Sequence, residues 1–240
     1  MKVLSVISIL LDYPHAELLD ARAELEAIVT GSELDAAHQA LVLQFIAERF
    51  AMDTMDWQAE YDGLFERGRS LSLLLFEHVH GESRDRGQAM VNLLDQYHQA
   101  GLDISAKELP DYIPLYLEFM STQGSENGRY GLEEVAPILA LLACRLEKHQ
   151  SNYANLLHAL LSLSKVDVDL KDLREQIVDE QPDNTPKELD KVWEEEMVSF
   201  MDNAQTGCNS SNKPSETQRR DQHIPLNTEL LQPKSNSQRL

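Results

Sequence analysis

Apolar residues recur every three to four positions through most of the first 200 residues, which is the spacing of one face of an α-helix. The five clearest stripes are Leu34, Ala37, Leu41 and Phe45; Trp57, Tyr61, Leu64 and Phe65; Met90, Val91, Leu94 and Tyr97; Leu132, Val135, Leu139, Leu142 and Leu146; and Tyr153, Leu156, Leu157, Leu160 and Leu161. No useful length alternates with the period of two that is typical of a strand. Short polar turns separate the stripes. The pattern therefore predicts an all-α protein, a single-domain helical bundle.

Both ends of this pattern predict a further helix. Near the start, Val3–Leu11 is apolar, but Asp12-Tyr13-Pro14-His15 follows it without a small-residue cleavage site, so we expect a buried first helix and not a signal peptide. Near the end, Thr185 can cap a helix that has Pro186 at its first position and Glu188 as the partner in a capping box. The predicted buried face of that last helix is Leu189, Val192, Trp193, Met197 and Phe200.

The composition changes near residue 203. Residues 203–240 are rich in Asn, Ser, Gln, Thr and Pro and contain few large apolar side chains. Such a segment buries too little surface to offset the entropy of ordering, so we expect a disordered tail. The sequence therefore predicts an all-helical domain over residues 1–202 and a polar tail over residues 203–240.

The charge of the chain restricts its partners. The sequence has 21 Lys and Arg against 41 Asp and Glu, a net charge of −20. This charge repels nucleic acid and anionic membranes, attracts a basic partner, and also keeps a protein soluble. No apolar run approaches the ~20 residues that span a bilayer, and the two cysteines lie in very different surroundings. We therefore expect a cytoplasmic protein with no stable membrane insertion and no nucleic-acid partner.

The sequence contains no phosphate-binding loop, dinucleotide fingerprint, nucleophile elbow or pair of cysteines at metal spacing. Its densest polar segment, residues 66–87, contains Arg67, Arg69, His78, His80, Glu82, Arg84 and Arg86. One interpretation is a metal or acid–base site at His78 and His80, although two imidazoles two positions apart on a helix point away from each other. A second interpretation is a structural loop that Arg–carboxylate pairs hold in place, and a third is a ligand-binding surface.

A second segment of interest runs from Leu109 to Met120. Asp111 is positioned to cap a helix that tolerates Pro114 in its first turn. That helix is apolar on nearly every side, which indicates either deep burial or one buried face and one exposed binding face.

These segments resemble a known family. Residues 61–94, beginning with Tyr61-x-x-Leu64-Phe65, are similar to the signature of the nitrate reductase molybdenum cofactor assembly chaperones (the delta subunits), within the TorD-like family of redox-enzyme maturation chaperones. Residues 109–120 resemble that family's Pro-x-Asp-His-Ile motif, but Pro110 and Asp111 are adjacent and Tyr112 stands where the histidine usually does. Ala136-Pro137-Ile138-Leu139 and Trp193-Glu194-Glu195-Glu196 also match, and the resemblance covers about residues 1–202.

The resemblance implies a chaperone that is not an enzyme, has no cofactor of its own and is absent from the mature complex. It implies binding to the apo catalytic subunit of a respiratory nitrate reductase, including its N-terminal segment, so that the molybdenum cofactor can be inserted before membrane docking. Our hypothesis for the contact is a groove that takes an amphipathic, basic peptide and is lined by Tyr61, Phe65, Tyr116, Phe119 and Met120. The alternative is a metal- or histidine-dependent helical enzyme centred on His78 and His80.

Overall fold

The computed structural model of the chain describes residues 1–80, 84–104, 108–181, 183 and 185. The helices of this described part are α1 (Lys2–Leu11), α2 (Arg22–Thr30), α3 (Ala36–Arg49), α4 (Thr54–Phe65), α5 (Leu75–His80), α6 (Arg84–Gln99), α7 (Ile113–Thr122), α8 (Gly124–Lys148), α9 (Ala154–Ser164) and α10 (Leu170–Gln176). A short 3-10 helix, Ala16–Ala21, connects α1 to α2.

The all-α prediction is confirmed. Within the described residues, the β-type pairing is limited to one isolated antiparallel bridge between Leu74 and Tyr112. The helix predicted to begin at Thr185 and the tail 203–240 lie outside the described residues, apart from Thr185 itself. The boundary at residue 202 lies outside them as well.

One hydrophobic core holds the helices together, and α8 runs through it. Helix α8 packs on α7, α9 and α10, while α1 packs on α7 and α3 packs on α9. The α8 stripe of Leu132, Val135, Leu139, Leu142 and Leu146 is buried, as its helical period predicts.

Helix α1 is buried along most of its length, as predicted for the first apolar run. Its Ser8 hydroxyl donates to the carbonyl of Pro114 at 2.6 Å, which fixes α1 against the start of α7. Within the part of the chain that the structure describes, no helix combines the length and the apolar composition needed to cross a bilayer.

Acidic residues cap the starts of two helices. Asp53 caps α4 by accepting the N–H of Met55 at 2.9 Å. Asp35 caps α3 in the same way, accepting the N–H groups of Ala37 and His38. A carboxylate serves these positions because it accepts strongly from the free N–H groups of a first turn.

Candidate functional site

Tyr61 and Phe65, two of the five predicted groove residues, lie in a buried aromatic cluster at the C-terminal half of α4. They expose 1% and 6% of their surface. Their ring centroids are 4.8 Å apart, and Phe65 meets Tyr153 edge-on at 5.0 Å. The indole N–H of Trp57 donates to the Tyr153 hydroxyl at 2.6 Å. Aromatic pairs of this kind each add ~0.5–1.5 kcal/mol beyond the area they bury.

The other three predicted groove residues belong to α7 and pack in a different direction. The Tyr116 hydroxyl donates to the carbonyl of Gly131 on α8 at 3.0 Å, and Phe119 packs on Tyr97 of α6 with ring centroids 4.6 Å apart. Met120 fills the space above Gly131, where an added Cβ would overlap the Met120 sulfur. Tyr116, Phe119 and Met120 are therefore core residues, with exposed fractions of 3%, 6% and 1%.

The accessible groove expected at these five side chains is not open in this structure. For the three α7 residues the physical reason is that the helix is apolar on nearly every side: α1 covers it from one direction and α8 from another, so burial accounts for the pattern. Contact of these five side chains with a peptide stays a prediction, and it requires the surrounding helices to separate.

Next to the buried cluster, a partly exposed polar and aromatic surface joins the ends of α1, α4 and α7. We call it the rim and define it as Asp12, Tyr13, His15 and Tyr112. The Tyr112 hydroxyl donates to Asp12 Oδ1 at 2.9 Å and lies 3.0 Å from the Tyr61 hydroxyl. Asp12 Oδ1 also accepts the N–H of Tyr13 at 2.8 Å.

The aromatic rings of the rim continue into the core. The Tyr13 ring stands edge-on to His15 at 5.6 Å and to Tyr61 at 5.5 Å. Burial raises the pKa of Tyr61 and of Tyr112, so both hydroxyls stay protonated and can donate hydrogen bonds. The rim therefore offers a fixed carboxylate beside aromatic rings.

Residues 66–74, which connect α4 to α5, are tied to the start of α7. The Ile113 N–H donates to the Leu73 carbonyl at 2.8 Å, and the Leu75 N–H donates to the Asp111 carbonyl at 2.9 Å. Together with the Leu74–Tyr112 bridge, these bonds make this connection and the Tyr112 segment one unit.

Asp111 does not cap α7, which corrects the sequence prediction. Helix α7 begins after Tyr112 without a side-chain cap, and Asp111 Oδ2 accepts the N–H of Phe76 at 3.1 Å instead. The residue is fully buried, and burial raises the pKa of its carboxyl. Asp111 therefore holds the first turn of α5 against the segment that precedes α7.

The predicted arginines and histidines are not gathered around one point. Arg67 is exposed, and the Arg86 guanidinium lies 3.6 Å from the Glu77 carboxylate. The N–H of Arg69 donates to Asp183 at 2.8 Å. Three predicted features fall outside what the structure describes: the side chains of His80 and Arg84, and the whole of Glu82.

His78 makes a structural contact. Its Nε2 lies 2.8 Å from the Ser72 carbonyl, which can only accept, so Nε2 carries the proton. Burial lowers the pKa of the ring and favours the neutral form. Within the described residues, no three His, Cys, Asp or Glu side chains are grouped in a way that could hold a metal ion. The geometry around His78 therefore supports a loop anchor.

Two long-range hydrogen bonds of this region cannot be predicted from the sequence pattern. Asp12 and Tyr112 are 100 positions apart, and Asp183 and Ser70 are 113 positions apart, yet each pair is hydrogen-bonded. Helical periodicity identifies buried faces but not which helix ends meet.

Comparison with known proteins places this architecture in a family. The sequence profile of the family described as "Nitrate reductase delta subunit" matches residues 30–159. The chain is similar to the nitrate reductase molybdenum cofactor assembly chaperone NarJ of Escherichia coli K12, with 48% identity over 209 residues, which is 87% of this chain and 88% of that protein.

Two further relatives carry related names. The chain is 42% identical to "Probable nitrate reductase molybdenum cofactor assembly chaperone NarW" of Escherichia coli K12, covering 88% of this chain and 89% of that protein. It is 33% identical to "Probable nitrate reductase molybdenum cofactor assembly chaperone NarJ" of Bacillus subtilis 168, covering 66% and 85%.

Proposed function

The chain belongs to the family of nitrate reductase delta subunits, and from this premise we propose that it is a dedicated cytoplasmic chaperone of a respiratory nitrate reductase. It binds the apo catalytic (alpha) subunit, including the N-terminal segment of that subunit. The bound subunit stays competent for molybdenum cofactor insertion and does not dock on its membrane partner. The chaperone then leaves and is absent from the mature enzyme.

The names of the relatives support the chaperone role. NarJ of Escherichia coli is named as an assembly chaperone, and the match extends over most of both chains. A binding role also fits the electrostatics, because a net charge of −20 favours the approach of a basic segment and orients it before contact.

The observation that carries the proposal is the rim. Asp12 Oδ1 accepts from both the Tyr13 N–H and the Tyr112 hydroxyl, so the carboxylate is held in one orientation. Both hydrogen bonds that Asp12 accepts from described residues reach Oδ1, so we assign Oδ2 to a Lys or Arg of the partner. The faces of the Tyr13 and Tyr112 rings can add a cation–π contribution of ~0.5–1 kcal/mol at such an exposed site.

Apolar contact supplies the other part of the affinity. Tyr61 and Phe65 lie directly behind the rim, since Tyr61 contacts both Tyr13 and Tyr112. If the 109–113 segment moves away from α4, these rings become available to apolar side chains of the bound segment. Burial of that surface contributes about 25 cal/mol per Å² before ordering costs are subtracted.

Calorimetric titration tests the rim with the full chain and a synthetic peptide of the catalytic subunit's N-terminal segment. We expect Asp12→Asn to weaken binding roughly fivefold, because a well-oriented exposed ion pair contributes up to about 1 kcal/mol. Asp20→Asn, an equal charge change on the exposed 3-10 helix, is the matched control and should leave the affinity unchanged.

Two results contradict the proposal, and a third would remove its electrostatic part. Equal affinities for the Asp12→Asn and Asp20→Asn variants would remove the rim from the binding surface. The absence of binding by the unmodified chain would remove the peptide-binding role itself. A binding rate that does not fall with added salt would exclude electrostatic steering, because ~0.15 M salt screens exposed charges beyond about 8 Å.

A further inference from the structure

The chain that follows α10 returns along α8 as a polar strap, defined here as residues 177–181 and 183. Lys148 on α8 holds its first part: Nζ donates to the carbonyls of Ile177, Val178 and Glu180 at 2.7, 3.0 and 2.7 Å. The Ile177 carbonyl also accepts the N–H of Glu180 at 3.1 Å. Carbonyls that follow the end of a helix lack intrahelical partners, and a lysine ammonium satisfies them well.

Arg145, one turn earlier on α8, links the strap to the α4–α5 connection. Its Nε and Nη2 donate to the two carboxylate oxygens of Glu180 at 2.8 and 2.7 Å, and its Nη1 donates to the Ser70 carbonyl at 2.9 Å. A guanidinium can make such a fork with a carboxylate and still reach a third acceptor.

Asp183 closes the strap on the turn at Gly68. Its Oδ2 accepts the N–H groups of Arg69 and Ser70 at 2.8 and 2.7 Å, and its Oδ1 accepts the Ser70 hydroxyl at 2.7 Å. The turn fits the carboxylate closely: Gly68 has φ +102°, and an added Cβ would lie 2.6 Å from Asp183 Oδ1. Partial burial opposes ionisation of Asp183, but the bonds from Ser70 and Arg69 outweigh it and keep its pKa below the usual value.

Polar contacts dominate the attachment of the strap. Of its described residues, Ile177 alone is buried, while Val178 exposes 64% of its surface. A segment with so little apolar burial opens at a small cost in free energy compared with the core helices. The strap can therefore exchange between closed and open positions while the bundle remains folded.

The turn that Asp183 holds is the beginning of the unit that carries Tyr112. From Ser70 the chain runs to Leu73 and Leu74, which pair with Ile113 and Tyr112 across the isolated bridge. Movement of the Tyr112 segment away from α4 therefore requires this connection to move with it, and the closed strap opposes that movement.

We propose that the strap is a built-in latch: with Asp183 seated on the Gly68–Ser70 turn it keeps the Tyr112 segment closed over the aromatic cluster, and its release opens that segment to the target. This inference rests on the proposed function for what is regulated, but the latch itself is a property of the free chain. If the open form is the binding-competent one, the apparent affinity is reduced by the fraction of molecules that are closed.

Hydrogen exchange on the free full-length protein tests the latch without any partner. The Arg69 and Ser70 amides bond to Asp183 directly, so the informative amides are those of Leu75 and Ile113, whose acceptors lie outside the strap. We expect Asp183→Ala to speed exchange at Leu75 and Ile113 about fivefold or more. Asp179→Ala removes an equal charge from an exposed strap residue and should leave both rates unchanged.

A second variant removes the contact between the strap and α8. Lys148→Met releases the strap from α8 without touching the 66–74 connection, and it should accelerate exchange at the same two amides. Circular dichroism confirms that each variant keeps its helices. Unchanged Leu75 and Ile113 rates in both variants, even with faster exchange at Arg69 and Ser70, overturn the proposal.

The link to the target is tested by titrating the same variants with the N-terminal peptide. We expect Asp183→Ala to bind severalfold more tightly than the unmodified chain, and Asp179→Ala to bind equally. If Asp183→Ala speeds exchange at Leu75 and Ile113 but leaves the peptide affinity unchanged, the latch does not control peptide binding, and this part of the proposal is overturned. If the unmodified chain binds no peptide, the proposed function fails, while the exchange rates still decide whether the latch exists.

Discussion

The buried guanidinium of Arg49 provides the most demanding test of the fold. Arg49 is the last residue of α3, and its side chain exposes 4% of its surface. Its two terminal nitrogens donate to the Glu60 carboxylate at 2.5 and 2.7 Å, and its Nε donates to Asn152 Oδ1 at 3.0 Å. The guanidinium also lies over the Tyr153 ring, 4.8 Å from its centroid. One side chain thus joins α3, α4 and the α8–α9 turn.

We expect Arg49→Met to destabilise the protein by roughly 2–3 kcal/mol. Breaking a buried ion pair typically costs ~3–5 kcal/mol. The loss here is smaller because Glu60 exposes 38% of its side chain and can be rehydrated. Asn152 also keeps one partner, since its Nδ2 still donates to Glu48 at 2.6 Å. Methionine preserves most of the volume, so the cavity contribution is small.

Equilibrium urea denaturation measures this effect as a lower midpoint at an unchanged slope. The matched control is Arg22→Met, which removes an exposed pair with Glu26 at 2.8 Å and should cost less than ~0.5 kcal/mol. A cycle with Glu60→Gln should give a coupling energy of ~1–3 kcal/mol. If Arg49→Met were as stable as Arg22→Met, the buried network would contribute nothing and the reasoning would be wrong.

Two further predictions concern the packing and titration of α8. Gly131→Ala should lower the melting temperature, because the added Cβ overlaps Met120 and approaches the Tyr116 hydroxyl to 2.9 Å, and overpacking a core costs ~1–3 kcal/mol. The matched control is Gly63→Ala on α4, where the added Cβ meets no neighbouring atom within 4 Å; it should stabilise the protein by ~0.5–1 kcal/mol. A Gly131→Ala variant that was also more stable would contradict the close α7–α8 contact. Partial burial raises the pKa of Glu134 to about 7, so the unfolded chain ionises first and stability falls from about pH 4.5 towards pH 7. Glu134→Gln should therefore exceed the parent in stability at pH 8 and match it near pH 4 in thermal melts, and a pH-independent difference would contradict that assignment.

The sequence predicts the helices well because burial follows the helical period. The stripe from Leu132 to Leu146 becomes the buried face of α8, and the apolar run from Val3 becomes α1. Caps are less predictable, since several polar residues compete for the same free N–H groups. Asp53, and not the neighbouring Thr54, caps α4, and Asp111 bonds to α5 although α7 is the helix that follows it.

The site is less accessible to sequence reasoning, because it is formed by helix ends that are distant in the chain. A helix that is apolar on nearly every side, such as α7, is compatible with deep burial and also with one exposed binding face. Only the positions of α1 and α8 distinguish the two arrangements. The rim depends on the bond between Asp12 and Tyr112, and the strap depends on the bond between Asp183 and Ser70. Neither pair has a local pattern that marks it.

The maturation role itself is tested most directly by affinity capture of the tagged chain from cells that cannot make the molybdenum cofactor, compared with normal cells. Quantitative mass spectrometry of the captured material measures how much nitrate reductase catalytic subunit is bound in each case. We expect the subunit to be strongly enriched from the blocked cells and nearly absent from cells that contain the mature enzyme. Equal amounts from both would identify a permanent subunit or scaffold and contradict a chaperone that releases its finished client.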